Sequence, residues 1–157
     1  MDFTHLELIE IGYRWCMVRC SFAFKDLVTI GCFGEVPDII GFNSSGSFLL
    51  EAKTSKSDFS QDKKKKFRQI PEYGMGDWRF FITKKGLIDI SELPKMWGLI
   101  EVNEKGKARC VYNPFGKGNI YCRWKRNPKY EKSEIIMMQS ALRRLQEKDL
   151  VKEIYNK

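Results

Sequence analysis

The chain has 157 residues, 43% of them hydrophobic and only 5 of them proline, a composition that fits one packed domain and excludes wholesale disorder. Residues 1–50 carry 3 Lys and Arg against 6 Asp and Glu, a net charge of −3, whereas residues 51–157 carry 25 against 14, a net charge of +11. A positive charge of this size attracts polyanions such as nucleic acid, but basic proteins of other classes share it.

Two further features bear on where the protein works. No run of about 18 apolar residues is present, and the first ten residues lack the basic and apolar segments of a secretory signal, so we expect a cytoplasmic protein without a membrane span. An odd number of cysteines, no CxxC pair and a single histidine, His5, argue against zinc or disulfides. Reduced thiols packed as small apolar groups are expected at Cys16, Cys20, Cys32, Cys110 and Cys122.

The N-terminal segment is predicted to be a helix followed by strand. Residues 18–30 are rich in β-branched and aromatic types and predict one strand, or two joined by a turn at 25–26. Before them, spacings of three and four indicate an amphipathic helix over residues 3–18. Its apolar stripe is Phe3, Leu6, Ile9, Tyr13 and Cys16.

A β-hairpin and a second helix are predicted next. Apolar runs at 38–42 and 47–53 flank the residues NSSG at 43–46, whose types favour a turn. Ser57 predicts a helix start, because its hydroxyl can cap the free amides of the first turn. The apolar stripe of that helix is Phe59, Phe67 and Ile70.

The remaining chain is predicted to contain strands, a loop and a final helix. The strands are expected at 78–83, 87–90, 97–102 and 107–112. A basic and aromatic loop covers 113–130, and a helix covers 133–155 with a stripe of Ile135, Met138, Leu142 and Leu145. We expect a single α/β domain over residues 1–157, with a core at about 3–112 and the loop and C-terminal helix at 113–157.

Three charged residues of the hairpin are predicted to meet on one face. A turn centred between Ser44 and Ser45 pairs Asp38 with Glu51, and directly opposed carboxylates repel each other at a Cβ separation of roughly 4.5 to 5.5 Å. A divalent cation would offset that repulsion, and Mg²⁺ prefers oxygen ligands. Because side chains alternate along a strand, Lys53 projects from the same face as Glu51. The set predicts a hydrolytic site for phosphodiesters, whereas a slip of one residue would turn Asp38 to the opposite face.

An ordinary edge hairpin with solvated Glu51 and Lys53 is the alternative. The two apolar runs at 38–42 and 47–53 are hydrophobic enough to be central strands, where an unpaired charge is costly. The composition of the strands therefore favours a functional site.

Pro37-Asp38 followed by Glu51-Ala52-Lys53 resembles the motif of the PD-(D/E)XK nuclease superfamily. The continuation TSKSDF at 54–59, with Asp62-Lys63, is similar to its MmcB-like DNA-repair branch. The resemblance covers residues 35 to about 102 well and the first helix loosely. It implies a restriction-endonuclease-like core, a mixed β-sheet with a central hairpin flanked by helices. The other matching segments are GDWRFF at 76–81, GLI at 86–88, LP at 93–94 and WGLI at 97–100.

The same resemblance implies roles for individual residues. Asp38 and Glu51 would bind Mg²⁺ or Mn²⁺, the backbone carbonyl of Ala52 would be a third ligand, and Lys53 would be the catalytic amine. The superfamily often adds an acid from the first helix or first strand, and we rank Glu35 lowest for this role because an extended strand would turn it away from Asp38. The open candidates ranked above it are Glu10, Glu7 and Asp26.

Two groups of residues are candidates for DNA contact: Ser55, Ser57, Lys63 and Lys64 beside the motif, and Arg123, Lys125 and Arg126 in the loop. Asp58 and Asp62 also follow the motif closely enough to reach the site. Helix capping by Ser57 and a solvated helix face at 63–66 are equally good interpretations. Trp124 has the chemistry to stack on an unpaired base, but we expect it in the core, where tryptophan is commoner. His5 is expected at the surface rather than as a general base.

The resemblance and the charge together predict a metal-dependent DNA nuclease that acts in DNA repair, recombination or mobile-element biology, with DNA as its partner and Mg²⁺ or Mn²⁺ as its cofactor. A non-cleaving nucleic-acid-binding accessory protein with the same fold is the alternative, because both would be basic. A structural or inhibitory interaction protein is a third hypothesis. The sequence is compatible with a homodimer.

Overall fold

The computed structural model describes residues 2–156, and it confirms an α/β fold built on a mixed sheet of six strands. The strands lie in the sheet in chain order, with β3, β4 and β5 parallel and the other neighbours antiparallel. They are β1 (Phe22–Lys25), β2 (Ile39–Asn43), β3 (Gly46–Lys53), β4 (Trp78–Lys84), β5 (Trp97–Val102) and β6 (Ala108–Tyr112).

Four α-helices and three short 3₁₀ helices complete the described part of the chain. The α-helices are α1 (His5–Met17), α2 (Lys56–Asp62), α3 (Lys66–Gln69) and α4 (Glu131–Glu147), and the 3₁₀ helices are Pro71–Tyr73, Ile90–Glu92 and Val151–Tyr155. Thr4 and Glu7 form a capping box that starts α1. Within residues 2–156, every helix is too short or too polar to cross a lipid bilayer.

The sheet has an apolar core on each of its two faces. The first core packs α1 against the sheet, with Leu8, Trp15 and Phe80 among its members. The second core includes Leu49 of β3, Phe59 of α2 and Met137 of α4. Because side chains alternate along β3, Glu51 and Lys53 point to the same face as Leu49, beneath α2.

The hairpin register predicted from the sequence is confirmed. Ile39 pairs with Leu50 and Asn43 with Gly46, so facing residues have numbers that add to 89. The side chain of Asn43 accepts hydrogen bonds from the amides of Ser45 and Gly46, which fixes the turn. This register directs Asp38 and Glu51 to one face.

Several predicted elements differ from the structure. Of the residues 18–30 that were expected to form strand, only the four of β1 do so. The strand expected at 87–90 is absent from the described chain, because Asp89 instead caps the 3₁₀ helix that starts at Ile90. In α1 the predicted stripe is partly wrong, since Leu6 is 68% exposed and Leu8, Ile11, Gly12 and Trp15 are buried with Ile9 and Cys16. The strands at 78–83, 97–102 and 107–112 are confirmed to within one residue at each end.

The helix predicted from Ser57 through Ile70 is broken into α2 and α3, and it starts after Ser55. Lys65 between them has an extended backbone, and across the break Asp62 and Arg68 face inward and pair at 2.8 Å in place of a continuous apolar stripe. Ile70, predicted to be part of that stripe, is exposed.

The C-terminal helix is confirmed, but it ends at Glu147 and its predicted stripe is only partly correct, since Met138 alone of the four packs against the second core. Ile135, Leu142 and Leu145 are exposed, whereas Glu134 and Met137 face the protein. Glu134 faces inward because its carboxylate accepts hydrogen bonds from Ser47, Gly76 and Lys129, which overrides the apolar spacing.

Candidate active site

The site begins where β2 stops pairing with β3. β2 starts at Ile39, whereas β3 continues past Leu50 to Lys53, so the last part of β3 has no main-chain partner on that side. The Asp38 carboxylate fills the position, accepting a hydrogen bond of 2.8 Å from the amide of Ala52. The amide and carbonyl of a strand residue point to the same side, so the carbonyl of Ala52 is also directed toward Asp38.

Glu51 is 2% exposed and lies between two cations. Its Oε1 is 3.0 Å from an Nη2 of Arg68, and its Oε2 is 3.6 Å from Nζ of Lys53. Burial raises the pKa of Glu51 to about 7 despite Arg68 and Lys53, and the neighbouring charge of Asp38 adds to the rise. Burial likewise raises the pKa of Asp38. The two motif acids are therefore desolvated and electrostatically coupled.

Lys53 is 3% exposed and is surrounded by acids. Its Nζ is 3.3 Å from Oδ1 of Asp62 and 3.7 Å from Oδ1 of Asp58, in addition to Glu51. Burial opposes the charge, but Glu51, Asp62 and Asp58 outweigh it and raise the pKa of the Lys53 amine. Lys53 is therefore an ammonium ion at neutral pH.

Arg68 is a site residue that the sequence interpretation missed, whereas Asp62, which was expected to be close enough to the motif to reach the site, does contact Lys53 and Arg68. Arg68 donates to Oδ2 of Asp62 at 2.8 Å and also to Glu35, so one buried guanidinium contacts three carboxylates, including Glu51. Burial opposes the ionised form of Asp62, but Arg68 and Lys53 prevail and lower its pKa to about 2. The i, i+4 spacing of Asp58 and Asp62 puts both acids on one side of α2.

The three acids ranked highest as supporting ligands, Glu7, Glu10 and Asp26, have different surroundings in the structure. Glu7 accepts hydrogen bonds from Thr4 at the start of α1, and Glu10 pairs with Lys25 on the surface. The amide of Asp26 donates to the carbonyl of Asp38, and its charge contributes to the raised pKa of that acid.

Glu35, ranked lowest, is 3% exposed and reaches the site through Arg68. Its second oxygen accepts a hydrogen bond from the amide of Met75. His5 lies at the edge of the site, half exposed as expected for a surface residue, with Nε2 at 3.3 Å from Oδ2 of Asp38.

Of the four residues near the motif that are proposed for DNA contact, two make contacts within the protein and two are exposed at the surface. Ser55, rather than Ser57, caps α2, accepting a hydrogen bond of 3.1 Å from the amide of Asp58. Lys63 is engaged with the carbonyl of Glu92 and lies over the ring of Phe59. Ser57 and Lys64 are exposed.

The loop residues Arg123, Lys125 and Arg126 are all exposed. Trp124 is 84% exposed, so the prediction that it lies in the core is wrong. The physical reason is local: the amide of Lys125 donates to the carbonyl of Cys122, which closes a turn with Trp124 at its outer corner.

A metal centre made of side chains alone is not preformed in this site. Across residues 2–156, no group of three or more His, Cys, Asp and Glu side chains is arranged to hold a metal ion. The motif instead offers the carboxylates of Asp38 and Glu51 together with the backbone carbonyl of Ala52.

Comparison with known proteins relates this chain to others by fold. The sequence matches no protein-family model and no curated protein. Among solved structures, the SPO1766 protein of unknown function from Silicibacter pomeroyi is similar, with a TM-score of 0.60 and 19% sequence identity over 93% of this chain and 92% of that chain. The two proteins therefore share a fold over nearly their whole lengths.

Proposed function

We propose that the chain is a metal-dependent deoxyribonuclease of the PD-(D/E)XK superfamily, with a restriction-endonuclease-like core and a role in DNA repair of the kind its MmcB-like branch implies. The support from the fold is a mixed sheet in which the β2–β3 hairpin has the register that the motif needs. The support for a polyanionic substrate is the net charge of +8. The choice of DNA comes from the resemblance.

The observation that carries the proposal is the meeting of charged motif side chains in a largely buried site. Glu51 and Lys53 are both almost fully buried, with 3.6 Å between Oε2 and Nζ, and Asp38 is bound to the residue between them. Burying an ion in a protein costs about 3 kcal/mol or more, even after the surroundings relax. An edge hairpin with solvated acids, the alternative interpretation, does not account for this arrangement.

The donor set fits Mg²⁺ or Mn²⁺. Asp38 and Glu51 offer carboxylate oxygens, and Ala52 offers a carbonyl directed to the same side, which are the hard ligands these ions prefer. Burial holds the pKa of both acids above the ordinary range, so a cation would stabilise their ionised forms. When bound, such an ion would polarise a phosphate oxygen and lower the pKa of its water.

The protein's own residues define the remaining roles. Lys53 keeps its proton, so it is suited to stabilise negative charge on the reacting phosphate rather than to act as a base. Asp62 and Arg68 are positioning residues, because they hold Lys53 and Glu51 from the side of α2 and α3. Ser57 in the first turn of α2 and Lys64 just after its end are exposed and are available to a phosphate backbone.

Cleavage of labelled DNA tests the proposal. The wild-type protein is incubated with single strands, duplexes with ends and branched junctions, in Mg²⁺ or Mn²⁺. We expect cleavage, and we expect Asp38→Asn, Glu51→Gln and Lys53→Met each to lower its rate by about 100-fold or more. The matched control is Glu10→Gln, which removes an exposed acid outside the site and is expected to cleave like the wild type.

Folding is checked for each variant by circular dichroism and thermal unfolding, so that a lost activity is not a lost fold. A folded wild-type protein that cleaves none of these substrates with either ion overturns the enzyme proposal. Folded Asp38→Asn and Lys53→Met variants with wild-type rates overturn the assignment of the site.

A non-cleaving nucleic-acid-binding protein with the same fold is the second candidate, and one observation favours it. Glu51 already contacts two cations, Lys53 and Arg68, so part of its charge is compensated without a metal ion. Calorimetric titration with Mn²⁺ separates the two candidates. Binding that Glu51→Gln abolishes supports the nuclease, and no binding at this site supports the non-cleaving protein.

A further inference from the structure

Trp124 differs from the other tryptophans of the chain in its exposure. The indole of Trp124 is 84% exposed, whereas the remaining three are 7%, 1% and 3% exposed, at Trp15, Trp78 and Trp97. Trp124 and Arg123 occupy the two central positions of the turn that the Lys125 amide closes on the carbonyl of Cys122 at 2.9 Å. At that corner the indole buries little area, so its large apolar surface contributes little to folding.

The turn is anchored to the sheet on both sides. Trp78 donates its indole N–H to the carbonyl of Cys122 at 3.3 Å. On the other side, the amide of Asn127 donates to the carbonyl of Asp77 at 2.8 Å, and its side chain donates to the carbonyl of Met96 at 2.9 Å. Trp124 is therefore presented on an ordered scaffold, which lowers the entropy cost of binding to it.

Basic side chains flank the ring. Arg123 and Lys125 are exposed on either side of Trp124 in sequence, and the guanidinium of Arg126 is about half exposed while lying 3.5 Å from Asp77. An exposed aromatic ring between cations offers both a surface for base stacking and contacts for phosphates. Proteins that bind single-stranded nucleic acid combine these same two elements.

We propose that Trp124 is a stacking platform for an unpaired DNA base, and that Arg123 and Lys125 bind the phosphates of the same strand. In a duplex both faces of an internal base are covered by its neighbours, so the indole can stack only where the strand is unpaired. The inference rests on the proposed function for the choice of DNA. It deepens that function by assigning unpaired strands, such as single strands or splayed ends, as the substrate class.

The turn and the candidate active site lie at opposite ends of β3, and Tyr121, just before the turn, packs on the α1 face of the sheet whereas Glu51 lies on the other face. The segment after Trp124 is held at Asp77, whose carboxylate contacts the backbone of Ser47 near the start of β3. Glu51 is four residues further along this strand, a separation of about 13 Å at 3.3 Å per residue. A DNA strand that contacts both Trp124 and Glu51 must therefore cover at least this distance and also pass the end of the sheet from one face to the other.

Binding measured in EDTA tests the inference without any cleavage. Because the other three tryptophans are buried, a saturable quenching of tryptophan emission by an unpaired oligodeoxynucleotide reports on Trp124. We expect this quenching in the wild type and its loss in Trp124→Phe. The affinity, measured by anisotropy of a labelled oligonucleotide, should stay within about threefold for Trp124→Phe and fall about 5- to 150-fold for Trp124→Ala.

Salt dependence separates stacking from phosphate contact. Trp124→Ala should leave the slope of log affinity against log salt unchanged, whereas Lys125→Gln should reduce it by about 0.7. On a closed duplex hairpin, Trp124→Ala should bind within about twofold of the wild type.

Three results would overturn the inference: no quenching by the oligodeoxynucleotide, an equal loss on the closed duplex, or a Trp124-dependent affinity that is higher for an oligoribonucleotide. Because the binding assay in EDTA does not depend on cleavage, an absence of quenching in the wild type would overturn this inference and leave the nuclease proposal standing. Quenching without any cleavage in Mg²⁺ or Mn²⁺ would support this inference and overturn the nuclease proposal.

Discussion

The Asp38 carboxylate accepts a hydrogen bond from the backbone amide of Ala52, so a side chain continues the β2–β3 pairing that the main chain ends at Ile39. Asp38 thus has a structural role beside its proposed role as a metal ligand. Asp38→Asn keeps an oxygen acceptor for the amide, whereas Asp38→Ala leaves the amide without a partner.

We therefore expect different effects of the two substitutions on stability. Asp38→Ala should lower the free energy of unfolding by about 1–3 kcal/mol, and Asp38→Asn should change it by about 1 kcal/mol or less. Both variants should lose Mn²⁺ binding. Urea unfolding and calorimetry measure the two properties, and an Asp38→Asn variant that binds Mn²⁺ like the wild type would contradict the ligand role.

Glu51 predicts a dependence of stability on pH. Burial raises the pKa of Glu51 to about 7 in the folded protein, whereas an unfolded glutamate titrates near 4.3. Between these values the folded state holds a proton that the unfolded state has released, so stability falls as pH rises from about 4.5 to about 7. The fall from this group should be about 3 kcal/mol in the absence of metal.

Urea unfolding at several pH values in EDTA measures this effect. Glu51→Gln should flatten the fall, whereas Glu10→Gln, an exposed acid, should leave it unchanged. Added Mg²⁺ should stabilise the wild type most above pH of about 7, where Glu51 is ionised, and should not stabilise Glu51→Gln. An equal slope in wild type and Glu51→Gln would show that another group titrates.

Local residue types are sufficient to predict the centre of the fold. The turn at Asn43 fixes the hairpin register. Because side chains alternate along each strand, this register directs Asp38, Glu51 and Lys53 to one face of the sheet. Strand β5 is equally clear, because Trp97 to Val102 is a nearly continuous apolar run between turn residues.

Features that depend on distant partners could not be predicted in this way. Arg68 looks like the end of a lysine-rich surface helix, and only the fold brings it to Glu35 and Glu51. The inward side of α4 is set by Glu134 and its partner Ser47, which are 87 residues apart. Such polar networks override apolar spacing because an unpaired buried carboxylate is costly.

Removing Arg68 should destabilise the protein strongly. Arg68→Ala leaves Glu35, Glu51 and Asp62 buried without their shared cation, and we expect a loss of about 3–5 kcal/mol near neutral pH. The loss should shrink as pH falls below about 7, where the buried Glu51 can take up a proton. The control is Lys65→Ala, which removes a half-exposed partner of Asp62 at 2.8 Å and should cost about 1 kcal/mol or less. Similar losses for both variants in urea unfolding would contradict the role of Arg68.

Lys129 links the C-terminal segment to the sheet through ion pairs with Asp77 and Glu134. Its Nζ lies 2.7 Å from Asp77, 2.8 Å from Glu134 and 3.1 Å from Oγ of Ser47, and the side chain is 11% exposed. Lys129→Met leaves two buried acids facing each other, so we expect a loss of about 3–5 kcal/mol and faster proteolysis of α4. Arg126→Met is the matched control, because its half-exposed guanidinium lies 3.5 Å from the same Asp77 and should contribute about 1 kcal/mol or less.

A second substitution separates charge from packing at this position. If the loss in Lys129→Met comes from uncompensated acids, adding Glu134→Gln should restore part of the stability, because the amide keeps an acceptor for Ser47 and Gly76 without the charge. Urea unfolding of the two single variants and the double variant gives the coupling between the residues. Additive losses in that cycle would mean that Lys129 acts through packing alone, and the ionic explanation for the attachment of α4 would fail.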